Sequence, residues 1–126
     1  MNLRRDRLGT YALFPYQTIR DEEGGTSDGY GHKQLIRAEM WAAGGRVQQE
    51  MYGAKLPQVR NMRLSGNYRE VTEGAKTRYH VTDGSAEFDI SVNDGISLND
   101  PDGDIPEYKV TAIYPYRFLQ IEVERI

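Results

Sequence analysis

The run DPDGD at residues 100–104 sets Asp100, Asp102 and Asp104 at alternate positions, as the first ligands of an EF-hand calcium loop are set. The pattern then fails. The glycine of such a loop follows the third acid, whereas Gly103 precedes Asp104, and no Glu stands at the twelfth position. A hydrophilic turn between strands accounts for the run better. His80, Asp83 and Ser85 supply the residue types of nucleophilic catalysis, but DGSAE lacks the G-x-S-x-G elbow. Triads are assembled in space, so closeness along the chain carries little weight. His32 and His80 have no second His at metal-ligand spacing, and His80, inside a strand-like run, reads as a structural histidine. No phosphate loop of the G-x-x-x-x-G-K-[ST] type occurs. Carboxylates abound, but the separation that would set their chemistry belongs to the fold. No nucleophile, base or metal set emerges, so neither an enzyme nor a bound cofactor is expected.

The aromatic residues are the other candidates. Trp41 is the only Trp, at the end of a strand-like run. It reads as a core or rim residue, or as a subunit-contact anchor of the kind Trp often provides. Tyr11, Tyr16, Tyr68, Tyr79, Tyr108, Tyr114 and Tyr116 could line a concave binding face.

Composition narrows the classes. The 126 residues suggest one domain, spanning 1–126. Such a chain buries roughly two-thirds of its unfolded surface, enough for a real core. Hydrophobic residues make up only 38%, and Gly numbers 13, so long loops around a modest core are expected. A net charge of −3 does not suggest a free-standing nucleic-acid binder. The charge is uneven: residues 1–20 hold Arg4, Arg5, Arg7 and Arg20 against Asp6 alone, while 83–107 hold eight acids and no Lys or Arg. That polarity fits either solvated loops or two different neighbours. Cysteine is absent, which excludes disulfides, Cys-based zinc sites and thiol chemistry and fits a reducing compartment. MNLRRDRLGT has no apolar segment behind its charges, so no secretory signal is expected there. No apolar run approaches the roughly 18 residues of a membrane helix.

The elements follow from periodicity. Residues 11–19 read as an aromatic strand with Pro15 marking an edge or bulge, and 20–31 as a loop broken by Gly24, Gly25 and Gly29. A second strand covers about 33–42, with Ile36, Ala38 and Met40 on one face. After Gly44 and Gly45 the rhythm changes: Val47, Met51 and Ala54 take helical spacing over about 45–55. A third strand covers about 58–65, residues 66–76 are ambiguous, and 77–82 alternate. In 86–92, Ala86, Phe88, Ile90 and Val92 share a face. In 107–114, Tyr108, Val110, Ala112 and Tyr114 share one, and in 118–125, Leu119, Ile121 and Val123 do. The expectation is mainly β: a small antiparallel barrel or sandwich of six to seven strands, with one short helix between strands two and three.

The order of elements over 33–126 resembles the head-closure, or head–tail connector (stopper), family of long-tailed bacteriophages. The features that carry it are IRAEMWA running into GGRVQQEMYG, the basic strand QVRNMRL, and the ending NDGISLNDPDGDIPEYKVTAIYPYRFLQIEVERI. The resemblance covers about three-quarters of the chain; residues 66–85 look like an extra excursion beyond the shorter members. It implies a small β-barrel that forms a ring, usually a dodecamer, in the virion, with no chemistry of its own. The ring closes the DNA exit after packaging and offers the tail a docking surface. Its partners would be portal–adaptor proteins above, tail proteins below and copies of itself, with DNA only in passage and no membrane; the chain would be made in the bacterial cytoplasm. The insert would project toward the channel, which gives Gly44, Gly45, Arg46, Gln48, Gln49, Glu50, Tyr52 and Lys55 a plug role. Trp41, Met51, Tyr68 and Arg69 would meet subunits or partners. So short a helix is marginal alone and its glycines weaken it further, which suits a plug that must move aside. Two other readings compete: a tail-completion or terminator protein, and a monomeric β-barrel binding module.

Overall fold

The computed structural model describes residues 7–20, 22–98 and 103–126. Asp100 and Asp102 of the acidic turn, and Arg4, Arg5 and Asp6 of the basic segment, lie outside the described residues. The strands are β1 (Leu8–Phe14), β2 (Tyr16–Arg20), β3 (Thr26–Tyr30), β4 (Gln34–Ala42), β5 (Val59–Leu64) and β6 (Asn67–Glu73). They continue as β7 (Lys76–Asp83), β8 (Ala86–Ile90), β9 (Gly95–Ser97), β10 (Tyr108–Pro115) and β11 (Leu119–Arg125). Between β4 and β5 lie the helix α1 (Arg46–Tyr52) and a 3-10 segment (Gly53–Gln58). Six strands close an antiparallel barrel in the order β1-β4-β5-β11-β10-β9. The hairpin β2–β3 and the meander β6-β7-β8 stand outside it.

The small antiparallel barrel is therefore the architecture, but the helix position needs correcting. It lies between the fourth and fifth strands, not the second and third. Residues 11–19 are not one strand: Pro15 has no N–H to give a ladder, and the chain breaks there into β1 and β2. The Pro15 carbonyl instead accepts from the Gly31 N–H at 2.7 Å, so the segment expected as a loop returns as β3. The ambiguous 66–76 forms β6, a turn at Gly74 and the start of β7.

Alternation places the core. Ile36, Ala38, Met62, Leu64, Ile121 and Val123 are buried inside the barrel, and Val81, Phe88 and Ile90 of the meander join the same cluster. Two face assignments fail at irregularities. β8 stops at Ile90, because the Asp94 carboxylate takes the Ser91 N–H (2.9 Å) into a turn, which leaves Val92 48% exposed. In β10 a bulge between Val110 and Ala112 flips the parity. Ile113 then packs on the core, and Ala112 and Tyr114 turn to the outer face.

The meander is fastened to the barrel where β5 passes into β6. The Arg37 guanidinium donates to both oxygens of Asp83 (3.0 and 2.8 Å), and Ser65 Oγ adds a third bond (3.2 Å). These donors, Arg37 first, hold the Asp83 carboxyl below its usual pKa. Gly66 has φ +109°, and a Cβ there would stand 2.4 Å from the Thr82 carbonyl oxygen, so only glycine makes this corner.

β9 closes the barrel with three buried residues. A Cβ on Gly95 would lie 2.6 and 2.7 Å from the Pro106 ring and 3.0 Å from the Tyr30 ring. Gly95→Ala is expected to lower the unfolding free energy by about 1–3 kcal/mol through overpacking. Urea unfolding checks it; a midpoint equal to the parent's would mean that the Pro106 ring yields freely.

Candidate functional site

The register of the barrel builds a polar patch on its outer wall. One row runs Trp41, Asn61, Glu122, Ala112 across β4, β5, β11 and β10. The next runs Glu39, Arg63, Gln120, Tyr114. Outward residues of a strand normally meet water, yet Asn61 and Glu122 are each only 4% exposed. The cover is α1. It buries none of its own residues, and its apolar positions Val47 and Met51 are 70% and 58% exposed. The helix is seated by hydrogen bonds rather than by an apolar face.

Gln48 is the centre of that seat. Its amide nitrogen donates to Asn61 Oδ1 (2.7 Å) and to Glu122 Oε1 (3.1 Å). Its amide oxygen accepts from Asn61 Nδ2 (3.1 Å) and from the Gly44 N–H (3.0 Å). Tyr52, one turn further along, donates its hydroxyl to Glu122 Oε2 at 2.5 Å and lies 3.2 Å from Thr111 Oγ1. From the other side Tyr114, turned outward by the bulge, donates to Glu122 Oε1 at 3.0 Å. Burial, and then the bond to Glu122, raises the Tyr52 pKa and pushes that of Tyr114 up to about 12. Both hydroxyls therefore keep their protons and remain donors at neutral pH.

Beside this seat opens a cavity of about 450 Å³. Its walls include Trp41, Gly44, Gln48, Tyr114, Tyr116 and Glu122. The Tyr114 and Tyr116 rings stack with centroids 5.7 Å apart and planes 8° from parallel. The Arg63 guanidinium lies 5.1 Å over the Trp41 ring.

The expected site residues separate into groups. Trp41, Gly44, Gln48 and Tyr52 converge on the patch. Gly45 opens the helix at φ +84°, and Gly53 closes it by donating its N–H to the Gln49 carbonyl. Arg46 and Glu50 form an exposed pair one helical turn apart (3.3 Å), and Lys55 lies 3.9 Å from Glu124. Met51 is exposed and apart from the network. Tyr68 and Arg69 belong to the meander, not to this site. Tyr68 packs edge-on to Tyr79 and donates to the Tyr116 carbonyl; Arg69 faces out, opposite His80.

Asn61 and Glu122 were missed by sequence reasoning, and Tyr114 entered it only as one of several tyrosines of a possible binding face. Glu122 sits at an outward position of an alternating strand, where a Glu is unremarkable. Only the register that lines it up with Asn61 and the bulge that turns Tyr114 reveal the group.

The grouping of His80, Asp83 and Ser85 disperses. His80 Nδ1 is 2.7 Å from Asp89 Oδ1 and Nε2 is 3.5 Å from Glu87 Oε1, while Asp83 is spent on Arg37. The hydrogen bond to Asp89, then that to Glu87, raises the His80 pKa. No Ser approaches His80 as a nucleophile among the described residues. Nor do three His, Cys, Asp or Glu side chains among them gather as metal ligands would. No helix among them is long and apolar enough to cross a membrane.

Comparison with protein-family models, curated proteins and solved structures finds no match. The site is therefore described by its chemistry: an amide and carboxylate seat for a short exposed helix, with an aromatic cavity beside it.

Two expectations follow. Gln48→Ala removes four hydrogen bonds from α1 but opens Asn61 and Glu122 to water, which can replace them. Amide exchange in residues 46–52 should approach that of an open segment, while global stability falls by only about 1 kcal/mol. Retained protection in α1 would show that something other than Gln48 seats it. The second concerns alkaline pH. A tyrosine in the unfolded chain ionises near 10, below folded Tyr114. Between about pH 10 and 12 the folded state thus holds a proton that the unfolded state has lost, and stability falls as pH rises. Tyrosine absorbance titration of the parent against Tyr114→Phe isolates this step, and an apparent pKa near 10 for the missing step would contradict it.

Proposed function

We propose that this chain is a structural subunit of the head–tail connector of a long-tailed bacteriophage. It assembles as a ring, of twelve copies by the family resemblance, between portal–adaptor proteins and the tail. It closes the DNA exit after packaging and presents the surface on which the tail docks. The observation that carries the reading is the insert between β4 and β5: a short helix on a closed barrel, with no residue buried and with Val47 and Met51 facing out.

Two physical arguments support it. A closed barrel has no free strand edge, so its contacts with neighbours must come from side chains and from the elements outside the barrel. α1 supplies such an element with uncovered apolar groups. It is also held by polar bonds that water can replace at small net cost, whereas lifting an apolar-packed helix would expose its whole face. A segment that must occlude a channel and then clear it needs that kind of hold.

The binding-module reading has one observation in its favour, the aromatic cavity at Trp41, Tyr114 and Tyr116. Deleting the reading frame from the replicon that carries it, followed by electron microscopy of the induced lysate, separates the readings. The expected result is full-size heads emptied of DNA beside free, finished tails. Heads that keep their DNA but carry abnormal tails would move the protein to tail completion. Normal particles would put the binding module first.

A further inference from the structure

Glu122 is only 4% exposed, and three neutral donors converge on its carboxylate: Gln48, Tyr52 and Tyr114. No cationic nitrogen among the described residues lies within 4.0 Å of it. Arg63, one register row away, places its guanidinium over the Trp41 ring, and Lys55 reaches Glu124 instead. A buried acid normally has a cationic partner as well as hydrogen bonds. Glu122 itself lines the cavity, together with Trp41, Tyr114 and Tyr116 and the polar Gln48, Asn61 and Gln120. Aromatic faces attract a cation through their quadrupoles, and the carboxylate adds a full opposite charge.

We propose that this cavity is a binding site for a primary alkylammonium group, the apolar stem lying against the tyrosine rings and the ammonium drawn to Glu122. The volume of about 450 Å³ accommodates a four-carbon stem and its charged head. The inference is independent of the connector reading: it needs only the barrel wall, the bulge in β10 and the seat of α1. Because Gln48 and Tyr52 bind the same carboxylate, an occupant would also bear on where the helix rests.

Trp41 is the sole tryptophan and lines the cavity, so its fluorescence reports occupancy. The full chain is titrated with n-butylammonium chloride at constant ionic strength, with n-butanol as the neutral control. Saturable change with the amine and none with the alcohol is expected. Glu122→Gln, checked for folding by circular dichroism, should weaken binding by about tenfold or more, as loss of a charged partner does. Tyr116→Ala removes an exposed wall and leaves every bond to Glu122 in place; it should weaken binding several-fold. A blocked Gly-Lys-Gly peptide distinguishes the source of the ammonium: tighter binding than butylammonium marks a docking site for a lysine side chain, weaker binding a site for a free amine. The proposal is overturned if the amine does not saturate, if butanol acts equally, or if both variants bind as the parent does.

Discussion

Closure of the barrel through Gly95–Ser97 is the constraint on which the rest depends. β9 is three residues long, yet it pairs with β1 on one side and β10 on the other. Without it the sheet β1-β4-β5-β11-β10 would have two free edges and no enclosed interior. The chain fixes these three residues from both ends. Before them, the backbone of Asp94 accepts from the Val110 N–H (2.8 Å), and its carboxylate takes the N–H groups of Ser91 and, 78 residues distant, Tyr16 (2.9 Å each). After them, the Glu107 carboxylate binds the Ser97 hydroxyl and the Leu98 N–H (3.0 and 2.9 Å). Asn93, at φ 82°, makes the turn that brings Asp94 into place, a conformation that Asn tolerates better than most residues.

Once the barrel is closed, its outer wall acquires a fixed register, and chemistry on the wall becomes possible. Trp41, Asn61 and Glu122 are far apart in sequence but successive in one row. Tyr114 joins them only because the β10 bulge shifts parity by one residue. α1 then covers polar groups with polar groups. This inverts the usual economy of a surface helix, which buries an apolar stripe and shows a polar one. Here Val47 and Met51 are left outward, and the same arrangement underlies both the connector proposal and the ammonium site.

The meander is a second, differently built surface. Its inner face gives Val81, Phe88 and Ile90 to the common core, with Tyr68 and Tyr79 packed beside them. Its outer face is a lattice of charges in which Arg78 meets Glu73 (2.9 Å) and Asp89 (3.4 Å), and His80 meets Asp89 and Glu87. These pairs are partly exposed, with Arg78 at 37% and His80 at 24%, and contribute little stability. They do keep the face from offering an apolar patch. The meander is held by its core residues and by the Arg37–Asp83 pair at its root.

The sequence by itself determined the class of fold and most of the core. Period-two alternation in about 33–42 and 118–125 put Ile36, Ala38, Leu119, Ile121 and Val123 inside, and helical spacing after Gly45 located α1, because side-chain direction is a local property of the backbone. Gln48 and Tyr52 were singled out only through the family resemblance, and not for what they bind. Tertiary structure decided the rest. Pro15 could be read as an interruption, but not as the start of a hairpin tied to Asp94 across the chain. The bulge at 110–112 has no local signature, so the side of Tyr114 was set by pairing with β11. Glu122 became a site residue through the register of three neighbouring strands and a helix laid over them. Long-range pairing assigns such neighbours, and a single strand's alternation carries no information about which strands will lie beside it.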